Sequence, residues 1–174
     1  MDKLSAEFNR WTLSRRDFEE AQSYLNAFNS SMDPIVQRAL LSAAIIAYAR
    51  PFSHHHAHPK AEQKIKLPAD FFDAESLDLH ERVLTLRNKC IAHSDYDRKP
   101  TARIPIDSTG VMTRTKPFNP LYEGIDIVSF RDLNKRMELH CWDQTMRLNN
   151  QMNGAPAPER VRRSGLLEQK KSPR

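Results

Sequence analysis

The distribution of apolar residues predicts a mainly all-α protein built as a four-helix bundle. Four stretches set apolar side chains at helical spacing, and three of them open on residues suited to cap a helix. Alternation of the strand type is confined to one short segment, about 101–116, which predicts a small β-hairpin insert between helices rather than a sheet.

The first helix is expected over 15–29, where Phe18, Ala21, Leu25 and Phe28 share a face behind Ser14 as cap. Asp33-Pro34 opens the second, because proline is preorganised for the first helical position. Its run of Ile35, Val36, Ala39, Leu40, Ala43, Ala44, Ile46 and Ala47 is apolar nearly all round, as a central helix should be. Pro51 ends it, and residues 53–66, with His54, His55, His56 and His58, form a polar loop. Pro68 to Phe72 fit a short turn packing two aromatics.

The third helix is expected from about Ser76 to Ala92, with Leu79, Val83, Leu86 and Cys90 as its stripe, widened by Leu84 and Ile91. Ala102–Asp107 and Val111–Thr115 alternate about Ser108-Thr109-Gly110, and Pro105 confines its strand to an edge. Ser129 caps the last helix, about Phe130 to Gln151, whose apolar face gathers Leu133, Met137, Leu139, His140, Trp142, Thr145, Met146 and Leu148. The segment 154–174 is poor in apolar residues and basic, and is expected to be a disordered tail after a single domain at 1–153.

Of 174 residues, 39% are hydrophobic and 28% charged, ordinary values for a globular protein. The start Met1-Asp2-Lys3-Leu4-Ser5 lacks the apolar core of a signal peptide, and the apolar run from Ala39 to Tyr48 is too short to span a bilayer. No membrane partner and a cytoplasmic location are therefore expected, with Cys90 and Cys141 as reduced core thiols. The net charge of +5 is not evenly spread. Lys and Arg number 10 against 12 acidic residues over 1–86 and 4 against 5 over 117–153, but 7 against 3 over 87–116 and 6 against 2 over 154–174. The positive excess thus begins at Arg87, as expected for a phosphate-rich partner such as RNA. Adjacent histidines in a loop rarely converge on one ion, so neither a metal nor another cofactor is expected.

One constellation carries chemistry: Arg87-Asn88-Lys89, then His93-Ser94-Asp95, where the third helix runs out. An Arg followed by a polar residue and, after four more, a His, late in a helical bundle, resembles the HEPN superfamily, and the variant here is similar to its bacterial toxin and phage-defence members. The resemblance spans roughly residues 14–95 and the last helix, and only the motif is specific. It implies a metal-independent endoribonuclease that works as a homodimer with a composite site, held in check by an antitoxin-type protein. More than thirty residues separate His93 from the last helix, a longer gap than is usual in that family.

The residue types suit the reaction. Histidine titrates near neutrality and can act as base or acid. Arginine stays charged, and its planar fork matches two phosphate oxygens. Asn88 can orient the phosphate or the imidazole. Lys89 and Arg98 would steer the substrate, Ser94 would bind it and Tyr96 would stack on a base. The same residues have plainer readings. Arg87 can snorkel from the helix flank and pair with Glu81 or an acidic residue elsewhere, and His93 can cap the helix carbonyls. The alternative function is a non-catalytic HEPN-like module that binds a nucleotide, RNA or a protein; a third is a purely structural dimer.

Overall fold

The computed structural model describes residues 3–53, 65–91, 101–107, 110–115 and 119–154, with the backbone alone for 89–91 and for the two strands. Among these residues the protein is mainly helical. Helix α1 runs Lys3–Ala27, α2 Pro34–Ala49, α3 Ala74–Thr85 and α4 Ile127–Met152, with single 3-10 turns at Arg50–Phe52 and Pro120–Tyr122. Strand β1, Thr101–Asp107, pairs antiparallel with β2, Gly110–Thr115, in a register that sets Ile104 opposite Met112 and shifts between Pro105 and Asp107. Of the predicted polar loop, residues 54–64 with His54 to His58 lie outside the described residues, as does the basic tail after Gly154, while Ile65, expected in that loop, is buried in the core.

Helix α1 begins well before the expected start. Leu4, Phe8 and Trp11 extend its apolar face toward the N-terminus, and Ser14, expected as a cap, is buried inside the helix. Asp33 caps α2 as expected, its carboxylate accepting from Ile35 N at 2.7 Å. The first turn of α2 is not buried, however: Ile35 is 68% exposed, and the core side starts at Leu41. In α4 the cap is Asp126 rather than Ser129, which instead donates its N–H to the Asp126 carboxylate at 2.7 Å. Leu139 and Trp142, expected on the apolar face, are turned to solvent, and Trp142 carries the Arg15 guanidinium 4.6 Å above its ring.

Helices α2 and α4 each pack antiparallel against α1. Arg131 of α4 donates to the carbonyls of Leu25 and Phe28 at the end of α1, while Trp11 near its start meets His140 edge to face at 5.4 Å. Arg50, at the end of α2, pairs with Asp17 and Glu20 of α1, and its bond to Glu20 holds that carboxyl below its usual range. All four helices meet at Tyr48. Its ring lies 5.4 Å from Phe18 of α1, 5.8 Å from His80 of α3 and 5.3 Å from Phe130 of α4. Fully burying an aromatic of this kind contributes about 2–3 kcal/mol, so these rings are the centre of the core energetically as well as geometrically.

Candidate functional site

Asp73 starts α3 by accepting from Ser76 N at 2.8 Å, and Leu79, Val83 and Leu86 hold the helix to the core. From Leu86 to Ile91 the α-helical ladder widens into a π-helical turn. Such turns insert one residue into a helix and swing the following side chains out of the regular stripe. Arg87 and Asn88 sit on this turn: Arg87 is partly buried, Asn88 is exposed, and Arg87 Nη1 donates to Asn88 Oδ1 at 2.8 Å. Among the described residues no carboxylate pairs with Arg87, so the expected plain partner, Glu81, is not the one it has.

Of the residues singled out in the sequence, Arg87 and Asn88 are therefore brought together. The backbone of Lys89 continues the same turn, whereas His93, Ser94, Tyr96 and Arg98 lie outside the described residues. One turn before Arg87, a shallow cavity of about 230 Å³ is lined by Asp78, Glu81, Arg82, Thr85, Leu86 and Glu123. Its carboxylates outnumber its single cation, and Arg82 is already spent on the carbonyls of Glu123 and Gly124, at 2.8 and 3.0 Å. That cavity repels phosphate and is no extension of the basic segment.

A second polar arrangement escapes sequence reasoning. His80 is only 8% exposed, and its Nδ1 lies 2.8 Å from the Tyr48 hydroxyl. Phe52 and Phe72 pack on its ring at 4.6 and 4.8 Å. Burial drives the imidazole pKa down to about 4 and raises that of the Tyr48 phenol well above its usual value. Both groups are thus neutral at pH 7. A neutral Tyr48 hydroxyl, fully buried, must place its hydrogen somewhere, and Nδ1 is the acceptor it has. The imidazole proton therefore resides on Nε2. The signal for this pair was weak in the sequence, since His80 and Tyr48 come together only when α2 and α3 cross.

Another polar group at full burial is Asn134 of α4, whose Nδ2 donates to Phe18 O at 2.9 Å and to Gln22 Oε1 at 2.7 Å. Among the described residues no donor reaches its Oδ1. Cys141 is a buried free thiol whose pKa burial pushes up to about 12, which leaves it an unreactive core residue. No helix among the described residues is long and apolar enough to cross a membrane. No protein-family model, curated protein or solved structure matches the chain.

Proposed function

We propose that the segment beginning at Arg87 is the active site of a metal-independent endoribonuclease of HEPN-like type. The observation that carries this reading is the state of Arg87: a cation on a π-helical turn, steered by a neutral amide 2.8 Å away, with no carboxylate partner among the described residues. An arginine in an ion pair is already neutralised. One oriented by Asn88 keeps its charge and its other N–H groups for a phosphate. The π turn supports the reading further, because such turns are rare and recur at functional sites. So does the charge distribution, whose positive excess starts at this residue.

In the proposed reaction the 2′-hydroxyl oxygen attacks the adjacent phosphorus while a histidine takes its proton. The bond from phosphorus to the 5′-oxygen breaks, and that oxygen receives a proton, leaving a 2′,3′-cyclic phosphate and a free 5′-hydroxyl. Arg87 holds two non-bridging oxygens and offsets the charge that builds on them. His93 is the proton carrier. One histidine rarely performs both transfers, so the proposal includes a homodimer in which a second copy supplies the other His93. Lys89 and Arg98 attract the backbone, Ser94 binds it and Tyr96 stacks on a base.

The test incubates the purified full chain, and its Arg87→Ala and His93→Ala variants, with end-labelled structured RNA in EDTA. Cleavage by the native chain alone, leaving cyclic phosphate ends, is the expected result. Retained RNA binding without product from any protein would overturn the catalytic reading and leave a binding module.

A further inference from the structure

His80 sits in the wall of a pocket that the ribonuclease reading does not use. The pocket has a volume of about 430 Å³ and is lined chiefly by apolar side chains, among them Phe52, Ile65, Leu67, Phe72 and Leu84, with Glu81 at its edge. That volume is within the range of small-molecule sites, which characteristically combine apolar walls with a few placed polar groups. Here the placed group is His80. Its Nδ1 is engaged by Tyr48, and among the described residues that is the ring's one hydrogen bond. The ring nitrogen that Tyr48 leaves is Nε2, which carries the proton because the Tyr48 hydroxyl supplies the hydrogen at Nδ1.

A fixed N–H donor in a mainly apolar wall gives an entering acceptor a specific hydrogen bond to make. Phe52, edge to face with the imidazole at 4.6 Å, and Phe72, tilted against it at 4.8 Å, both line the pocket, which favours an aromatic body that stacks or meets them edge-on. Glu81 at the edge disfavours an anion. We propose that this pocket binds a neutral, flat aromatic carbonyl compound, with its ring between Phe52, Phe72 and Leu84 and its carbonyl oxygen accepting the hydrogen on His80 Nε2. The site is independent of Arg87, and it stands or falls separately from RNA cleavage.

The experiment titrates the full chain with 6-propionyl-2-(dimethylamino)naphthalene, a neutral aryl ketone whose emission moves to the blue when it leaves water. Native protein should bind it saturably at one site with a blue shift. Leu84→Trp fills the pocket beside His80 while leaving the imidazole in place, and should abolish binding. His80→Phe keeps a ring but removes the donor and should weaken binding about fivefold, the worth of one neutral hydrogen bond. Nitrogen NMR of histidine-labelled native protein gives a readout that needs no variant: the protonated Nε2 signal of His80 should move on addition of the ketone. Absence of saturable binding by the native chain overturns the proposal, as does full binding by Leu84→Trp. Binding that Leu84→Trp removes, but that neither moves the His80 signal nor responds to His80→Phe, overturns the assignment of a carbonyl ligand.

Discussion

The Tyr48 hydroxyl lies 2.8 Å from His80 Nδ1, joining two helices across 32 residues of chain inside a ring of aromatic side chains. The bond pairs the buried hydroxyl with Nδ1 without placing a charge in the core. That is why α2 and α3 can bury a tyrosine and a histidine where two apolar residues would be the ordinary choice.

This arrangement makes stability depend on pH. The folded-state pKa of His80 is depressed to about 4, from 6.5 in the unfolded chain, so the unfolded state binds the proton first as pH falls. The contribution of the neutral imidazole is complete above about pH 6.5 and is lost progressively toward pH 4, on the order of 2 kcal/mol after allowance for partial solvation. Urea unfolding at pH 7 and pH 5 should show native protein losing stability over this interval and His80→Phe losing distinctly less. Equal losses would mean that the imidazole is not held neutral by burial.

Asn134 yields a prediction of opposite sign to the usual core substitution. Its Oδ1 is buried with no donor among the described residues, and an orphaned buried acceptor costs about 1–3 kcal/mol. Leucine has nearly the same shape and no oxygen to desolvate. Asn134→Leu should therefore raise stability by about 1 kcal/mol, read as a higher urea midpoint at unchanged slope. Asn134→Ala should lower it, by the cavity it leaves. A destabilised leucine variant would show that the bonds to Phe18 O and Gln22 Oε1 outweigh the orphan.

These two cases mark where the sequence is legible and where it is not. The cap at Asp33, the stripe Leu79–Val83–Leu86 and the long last helix follow from local spacing, and they are found where spacing puts them. Ser14 misled because serine is as good a cap as any, and its burial within the bundle has no local signature. Ile35 and Trp142 misled because periodicity says which residues share a face, not how far the neighbouring helix reaches to cover them. In the candidate site, Arg87 and Asn88 are adjacent in sequence, and their contact is of the kind a motif can suggest. The His80–Tyr48 pair depends on how two helices cross, which no single stretch encodes.

Gly124 tests how α4 is set beside the motif helix. It adopts φ +67°, and a Cβ there would meet Arg82 Nη2 at 3.3 Å, the guanidinium that holds the carbonyls of Glu123 and Gly124. Gly124→Ala should cost about 1 kcal/mol from the left-handed backbone, with a further loss as Arg82 is displaced. In an Arg82→Ala background the further loss should vanish and the backbone cost remain, a double-mutant comparison that thermal unfolding can read.

Arg87 and Asn88 separate a functional arginine from a structural one. The pair is exposed to partly exposed, so substitution there should change stability by no more than about 0.5 kcal/mol. Under the proposed function, Arg87→Lys keeps the charge but loses the fork that spans two phosphate oxygens, and cleavage should fall about a hundredfold or more. Asn88→Ala leaves the guanidinium intact and removes only what aims it, so its loss should be smaller, about tenfold. Adding Asn88→Ala to Arg87→Lys should then cost little more, because the amide acts through the fork that is already gone. The readout is the single-turnover cleavage rate beside the unfolding midpoint of each variant. Rates that follow the midpoints would make Arg87 a surface residue of the bundle. Rates that collapse at constant midpoint, with Arg87→Lys slower than Asn88→Ala, would tie both side chains to the phosphate.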